Sequence, residues 1–157
     1  MDTPGEQQPA SFLLDTGILL AYIRAGALGQ YVEERYQLRA QPYKPLISIV
    51  SVGEIRALAR QFGWGNHKKA SMRRLLRELV QVDISNEAIL DAYAELADFT
   101  RRPPGQTVPQ NDLWIAATAK VTGTTLLTLD TDFDQFDPGH ISHEYIDQRA
   151  GKGQTRQ

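Results

Sequence analysis

The sequence predicts an α/β domain in which helices surround a mostly parallel sheet of about five strands. Short runs of apolar and β-branched residues alternate with longer stretches of helical pattern along the chain, and this alternation is typical of parallel sheets. The clearest example is the alanine- and leucine-rich run Leu113 to Ala119, which stops near Gly123 and is followed by the strand-like run Thr124 to Leu129. With 157 residues, the chain has the size of one domain that can bury its own core.

The predicted strands and helices account for most of the chain between residues 11 and 147. The strands are the short apolar runs at 11–15, 46–49, 80–84, 124–129 and 143–146. The helices are predicted at 16–26, 28–38, 51–62, 66–80, 85–99 and 112–122, with a short one after Thr131. The polar segments 1–10 and 148–157 are expected to be flexible tails, which leaves one domain over 11–147.

The composition excludes several classes of site. The chain has no cysteine, so disulfides, thiolate metal sites and a cysteine nucleophile are ruled out. Apolar runs fall short of the ~20 residues of a membrane span, and residues 1–10 lack the basic and apolar regions of a signal peptide. We therefore expect a cytoplasmic protein without a membrane segment. The net charge of −2 provides no general attraction to nucleic acid.

Four acidic residues fall where predicted strands meet predicted helices. Asp15 ends the first strand, and Glu54 lies in the first turn of the helix after the second strand. Asp112 opens a helix, and Asp130 ends the strand that follows it. In a parallel sheet, the carboxyl ends of strands and the N-termini of the following helices share one edge, where ligands bind. We therefore expect these four carboxylates to meet in one cleft.

Each of these acids alone has a simpler interpretation. Asp15 and Asp112 stand at predicted helix starts, where aspartate is a favoured cap, and for Asp15 alone the cap is the preferred reading. Ser51 and Glu54 have the spacing of a capping box, in which the glutamate reaches back to a backbone N–H. Asp130 alone is compatible with an ordinary turn.

Together, the four acids predict a metal site. Clustered carboxylates raise each other's pKa and destabilise a fold unless a cation neutralises them. The three histidines, His67, His140 and His143, share no metal-ligand spacing and are assigned no chemistry, so the ligands are expected to be oxygens. An all-oxygen set suits Mg²⁺ or Mn²⁺. Such a cation lowers the pKa of a bound water and stabilises both oxygens of an in-line phosphoryl displacement.

Two groups of basic residues have two interpretations each. Lys69, Arg73 and Arg77 recur at four-residue spacing on one predicted helix, which indicates either a solvated face or a contact with RNA or a partner. Arg101 and Arg102 begin a proline-rich loop that leads to Asn111 and Asp112. This loop either brings the two arginines to phosphate beside the cleft or has no role.

Four segments of the chain resemble, in the same order, the four motif regions of PIN domains, and particularly those of the VapC-type ribonuclease toxins of prokaryotic toxin–antitoxin pairs. The segments are LLDTGILLAYI (13–23), SIVSVGEIRALA (48–59), NDLWIAATA (111–119) and LLTLDTDF (126–133). The resemblance covers about residues 11–146. It implies a three-layer α/β/α fold, an Mg²⁺- or Mn²⁺-dependent endoribonuclease acting on RNA, a homodimer, and inhibition by a small antitoxin protein.

The resemblance also implies a role for each site residue. The catalytic and metal-binding acids of the family match, in order, Asp15, Glu54, Asp112 and Asp130. Three auxiliary positions match Thr16 after the first acid, Asn111 before the third, and Asp132 as the neighbour and occasional substitute of the fourth. The chain departs from the family at Gly17, where a polar residue, often asparagine, is usual, and this puts one supporting hydrogen bond in doubt.

Three hypotheses follow from the sequence. The first is a toxin-type endoribonuclease that hydrolyses RNA through a metal-activated water. The second is a non-catalytic PIN-like module that binds RNA or a partner, for which Gly17 leaves some room. The third is a phosphatase with Asp15 as nucleophile, which is disfavoured because such enzymes need a second aspartate where this chain has Gly17. An antitoxin is expected to dock in the apolar seam between residues 54–62 and 66–80.

Overall fold

A computed structural model describes residues 11–101, 103 and 106–154. Its five strands form one sheet in the order β3-β2-β1-β4-β5, and every neighbouring pair is parallel. The predicted number of strands is confirmed. The strands are β1 (Phe12–Leu14), β2 (Leu46–Ser48), β3 (Val80–Val82), β4 (Thr125–Thr128) and β5 (Ser142–Tyr145).

The helices lie between the strands and on both faces of the sheet. The α-helices are α1 (Thr16–Arg24), α2 (Ala27–Tyr36), α3 (Ile49–Gln61), α4 (Asn66–Arg77), α5 (Glu87–Phe99) and α6 (Gln110–Thr122). The 3-10 helices are Leu38–Ala40, Thr131–Phe136 and Ala150–Gln154. Within the part of the chain that the structure describes, no helix is both long and apolar enough to cross a bilayer.

The sheet separates two hydrophobic cores, which gives the three layers that the resemblance implied. Successive strand residues point to opposite faces. Leu14 and Leu127 therefore pack with α1 to α4 on one face, whereas Leu13 and Leu126 pack with α5 and α6 on the other. The three-layer α/β/α prediction is confirmed, and the carboxyl ends of β1, β2 and β4 reach the same edge of the sheet.

Helix α6 forms the buried side of that edge. Six of its residues are buried, from Leu113 to Ala119, which explains why the run is apolar nearly all round. The helix ends where predicted, at Gly123, whose φ of 66° lies in the left-handed region that glycine adopts at low cost. Because α6 starts at Gln110, Asp112 lies inside its first turn and does not act as the N-cap.

Helix α3 starts earlier than the sequence predicted, and this corrects the interpretation of Glu54. The chain passes from strand to helix at Ser48, whose Oγ accepts a hydrogen bond from the Val50 N–H at 3.1 Å. Ser48 is therefore the cap, and the capping box proposed for Ser51 and Glu54 is wrong. A second correction of this kind concerns α5, which was predicted to start at residue 85 but is capped by Asn86 and starts at Glu87.

The segment after β5 packs on the domain instead of leaving it. Ala150–Gln154 form a 3-10 helix, and Gly151 is buried against the start of α2. A Cβ at residue 151 would lie 2.5 Å from the Ala27 carbonyl, so only glycine permits this approach. These residues belong to the segment 148–157, for which the sequence predicts a tail. Residues 1–10 and 155–157 lie outside the described residues.

Candidate metal centre

A cleft of about 440 Å³ opens at the carboxyl ends of β1, β4 and β5. The four acids singled out in the sequence all line it, although they come from different strand and helix junctions. No lysine or arginine is among the described lining residues. These residues are Asp15, Thr16, Gly17, Glu54, Asp112, Leu129, Asp130, Thr131, Tyr145 and Gln148.

Asp15 is the most buried acid of the cleft, with 9% of its surface exposed. Its Oδ1 accepts a hydrogen bond from the Thr16 N–H at 2.8 Å, so the carboxylate is also the N-cap of α1. Its Oδ2 accepts one from the Thr128 hydroxyl at 2.6 Å. Burial raises the pKa of Asp15 despite these hydrogen bonds, and the nearby charges of Glu54 and Asp130 raise it further. The cap and the site are therefore the same carboxylate.

Thr16 connects the first acid to the second. Its Oγ1 lies 2.9 Å from Glu54 Oε1 and 2.9 Å from Ser51 Oγ. A hydroxyl has one proton, and a carboxylate is the stronger acceptor, so we assign that proton to Glu54. The side chains of α1 and α3 are thereby held together at the floor of the cleft, and Glu54 is oriented toward it.

The most tightly clustered oxygens belong to three aspartates of α6 and the 131–136 helix. Asp112, Asp130 and Asp132 each offer one carboxylate oxygen, and these three atoms lie within 4.8 Å of one another. Asp130 Oδ1 also accepts a hydrogen bond from the Asp132 N–H at 2.8 Å, which fixes the turn that brings Asp132 back. Asp132, which the sequence placed only as an auxiliary, therefore belongs to the tightest group.

Thr128 holds two of the acids at a fixed separation. Its hydroxyl donates to Asp15 Oδ2 and accepts a hydrogen bond from the Asp130 N–H at 3.0 Å. The side chain is fully buried at the end of β4. Sequence reasoning missed this residue, because a threonine at a strand end is most simply read as a β-branched core residue.

Asp112 is also destabilised in its charged form within the cleft. Burial raises its pKa to about 7, and the charges of Asp15, Asp130, Asp132 and Glu54 add to the effect. Among the described residues, the cleft has no cationic side chain that would offset this negative charge. A set of carboxylate oxygens with uncompensated charge fits a hard divalent cation such as Mg²⁺ or Mn²⁺.

Other predicted site residues lie away from the cleft. Asn111 is exposed in the first turn of α6 and does not line the cleft. Arg101 is exposed and forms an ion pair with Asp98 instead of facing the carboxylates. Arg102 lies outside the described residues.

The basic stripe predicted on α4 is divided between two surfaces. Lys69 and Arg73 face Arg56 and Arg60 of α3 across a groove of about 330 Å³ with an apolar floor. Arg77 lines a separate cavity beside α1. The groove coincides with the seam predicted for antitoxin docking.

His143 has a structural partner set that the sequence did not indicate. Its Nδ1 lies 2.8 Å from Asp137 Oδ2, and its Nε2 lies 2.7 Å from Asp134 Oδ1. Burial alone would lower the pKa of His143, but the hydrogen bonds and charges of Asp134 and Asp137 outweigh it and raise the pKa. The hydrogen bonds and charge of His143 in turn lower the pKa of Asp137. This group ties the 131–136 helix to β5.

Comparisons with known proteins agree with this geometry. A family model described as PIN domain matches residues 12–138. Comparison with curated protein sequences gives no significant match.

Solved structures with a similar fold come from several bacteria. VapBC2 from Rickettsia felis, bound to a DNA fragment from its promoter, matches with a TM-score of 0.72 and 20% identity, over 87% of this chain and 99% of that chain. VapBC from Salmonella typhimurium, bound to DNA, matches with a TM-score of 0.65 and 22% identity, over 87% and 98%. VapBC-5 from Mycobacterium tuberculosis matches with a TM-score of 0.56 and 24% identity, over 88% and 99%. At these identities the likeness concerns the fold.

Proposed function

This chain belongs to the PIN-domain family, and from that premise we propose that it is an Mg²⁺- or Mn²⁺-dependent endoribonuclease. One observation carries the proposal: carboxylates from separate strand and helix junctions converge in one cleft whose described lining has no cationic side chain. A fold tolerates such a cluster at a cost in stability, and a divalent cation offsets that cost. The same cation attracts the phosphate of RNA, which the acidic cleft alone would repel.

The proposed ligands divide into two groups. Asp112, Asp130 and Asp132 would hold the cation, since their oxygens are the closest together, and Asp15 and Glu54 complete the acidic lining. When bound, the cation would lower the pKa of a water and neutralise charge on the phosphoryl oxygens. The site holds one cation if Asp15 and Glu54 bind the same cation as the three aspartates. It holds two if Asp15 and Glu54 bind a separate one.

The chain's own contribution is to orient these carboxylates before substrate arrives. The Thr16 N–H and the Thr128 hydroxyl fix both oxygens of Asp15, and the Thr16 hydroxyl fixes Glu54. Groups that are already in place lose little freedom when the reaction begins, which is the main source of catalytic advantage in such sites. Helix α6 positions Asp112 in this set and is itself anchored by six buried residues, from Leu113 to Ala119.

We further propose that the protein is the toxin of a type II toxin–antitoxin pair, restrained by a small antitoxin. The similar structures from Rickettsia felis and Salmonella typhimurium are both described as VapBC bound to DNA, which supports a partner of this kind. A homodimer is part of the same proposal. Exposed apolar side chains on α5 and α6, including Leu90, Phe99 and Val121, provide a surface for it.

The test is cleavage of a single-stranded RNA by the purified protein with Mg²⁺ or Mn²⁺ and with chelator. We expect cleavage only with the cation, leaving a 5′-phosphate and a 3′-hydroxyl, and loss of cleavage in Asp15→Asn. The matched control is Asp91→Asn on the exposed face of α5, which removes one negative charge far from the cleft and should cut like the parent.

Three results would contradict the proposal. Equal cleavage by Asp15→Asn and the parent would remove Asp15 from the site. Cleavage that persists in chelator would show that the reaction needs no divalent cation. Binding of RNA without turnover under every cation concentration would favour the alternative, a non-catalytic PIN-like binding module.

A further inference from the structure

The cleft has an aromatic wall beside its carboxylates. Tyr145, the last residue of β5, is aligned with Thr128 of β4, and the following Ile146 N–H donates to the Thr128 carbonyl at 2.8 Å. Thr128 is the residue that holds Asp15 and Asp130. Tyr145 is 45% exposed and is the only aromatic residue in the described lining of the cleft. Strand pairing therefore fixes an accessible ring next to the proposed cation ligands.

The cleft also has an apolar lining residue, Leu129, which packs closely against Gly17. Gly17 and Leu129 both line the cleft. A Cβ at residue 17 would lie 3.2 Å from Leu129 Cδ1, so even a small side chain would crowd that leucine. Glycine at residue 17 thus lets the Leu129 side chain pack there and contribute an apolar surface to the cleft.

Gln148 supplies a neutral polar group at the same rim. It lies in the turn after β5, is exposed, and lines the cleft with Tyr145. A glutamine side chain offers two N–H donors and one carbonyl acceptor. A flat ring, an apolar leucine side chain and an amide form a different surface from the carboxylates of the same cleft, and they suit a flat, uncharged ligand with polar edges.

We propose that Tyr145, Gln148 and Leu129 form a binding subsite for one unpaired nucleobase of the RNA substrate. The inference rests on the proposed ribonuclease function, and it adds where the base next to the cleaved phosphate binds. Unpaired bases stack on aromatic side chains and present hydrogen-bonding edges. The phosphate would lie at the carboxylate end, with the base against Tyr145. A base in a duplex would have to leave its stack to contact this ring, so the proposal predicts a single-stranded substrate.

The experiment uses a series of single-stranded RNAs, each with one abasic nucleotide near the cleavage position. For the parent protein, we expect the KM to rise about tenfold for the abasic nucleotide at one position, in keeping with the measured contribution of base stacking. Tyr145→Ala should raise the KM of the intact RNA by about the same factor and lose the response to the abasic position. Tyr145→Phe should behave like the parent because the ring remains.

Controls separate the subsite from general effects. Tyr43→Ala removes another exposed tyrosine, 61% exposed and outside the cleft, and should leave the KM unchanged. Gly17→Asn should weaken binding in the same direction as Tyr145→Ala, since its side chain would displace Leu129. Thermal unfolding of each variant shows whether it folds. If Tyr145→Ala does not fold, Tyr145→Leu takes its place.

The outcomes distinguish this inference from the proposed function. If the parent cuts RNA but Tyr145→Ala retains both the parent KM and the parent response to the abasic position, the subsite is refuted and the nuclease stands. If the parent does not cut, the nuclease proposal fails, and the Kd of the same RNAs measured in Ca²⁺ by fluorescence anisotropy tests the subsite. A Tyr145-dependent loss of affinity at one abasic position would then support it, and equal affinities would overturn it.

Discussion

Two groups of carboxylates each include one aspartate of the 131–136 helix, and they differ in how their negative charge is balanced. On one side, Asp112, Asp130 and Asp132 cluster without a cationic side chain in the described lining of the cleft, and the pKa of Asp112 is raised to about 7, chiefly by burial. On the other side, Asp134 and Asp137 share His143, and the pKa of Asp137 is lowered by its hydrogen bond to that histidine.

The difference separates a site for a ligand from a structural contact. The histidine group is complete within the chain, so its free energy is already part of the folded state. The aspartate cluster is incomplete, because its favourable state requires a positive charge from outside. Sequence alone does not distinguish the two, since Asp130 and Asp132 of the one and Asp134 and Asp137 of the other fall in the same acidic segment.

The largest expected difference between the two groups is in catalysis. Asp112→Asn should lower the cleavage rate by about 100-fold or more, the usual cost of removing one group that stabilises charge in a transition state. Asp137→Asn should leave the rate within about threefold of the parent at 25 °C, because it lies outside the cleft. Initial rates on single-stranded RNA measure both, and equal losses in the two variants would contradict the distinction.

The next effect concerns stability in the presence of a divalent cation. Mg²⁺ or Mn²⁺ at a 100-fold excess over its Kd should raise the free energy of unfolding by about 2.7 kcal/mol, which corresponds to roughly 5 to 10 °C in Tm for a domain of this size. Asp112→Asn should lose most of this gain, whereas His143→Asn should keep it. An equal gain in all three proteins, measured by calorimetry, would show that the cation binds elsewhere.

A smaller loss is expected when the histidine group is broken. His143→Ala should lower the free energy of unfolding by about 1 to 2 kcal/mol, at the lower end because Asp134 is 60% exposed and its charge is screened. The pKa of His143 is raised in the folded state, so this stabilisation is fully present below about pH 6.5 and is lost as the pH rises through the folded-state value. Urea unfolding at pH 6 and pH 9 tests both statements, and a cost that is larger at pH 9 would contradict the sign.

The smallest effect is the pH dependence of the cleft without a cation. The pKa of Asp112 is about 7 in the folded state and 3.8 in its ordinary environment. As the pH rises, the unfolded chain therefore loses this proton at a lower pH than the folded chain does. In chelator, the free energy of unfolding should fall by about 1 kcal/mol between pH 4 and pH 7, after allowance for solvent screening. Asp112→Asn should remove that part of the slope. An unchanged slope in this variant, measured by urea unfolding, would place the strain at another carboxylate.

The sequence predicted the parts of the site that depend on chain order and periodicity. Asp15 and Asp130 follow apolar runs short enough to be strands, and Asp112 precedes a run too rich in alanine to be one. Once the strands are parallel, their carboxyl ends must share an edge. The convergence of the four acids in one cleft follows from these local patterns without knowledge of side-chain contacts.

The other features of the site depend on tertiary contacts that local sequence patterns do not specify. Asp132 joins the tight group because a 3-10 turn, held by its own N–H bond to Asp130, reverses the chain. Tyr145 and Gln148 reach the cleft because β5 pairs with β4 in a particular register, which the polar sequence of β5 does not specify. The start of α3 was misplaced because two serines, Ser48 and Ser51, are both good caps and packing decides between them.

The buried hydroxyl of Thr128 joins two positions that are 113 residues apart in the chain, and we expect these two positions to change together in evolution. While residue 15 is an aspartate, its Oδ2 needs a hydrogen-bond donor. Lineages that keep Asp15 should therefore accept only threonine or serine at position 128. Once a lineage abandons Asp15, the need for a donor at position 128 disappears, and only the Asp130 N–H still requires an acceptor there. Correlated replacement at these two positions would therefore identify homologues that have lost the catalytic activity and kept the fold.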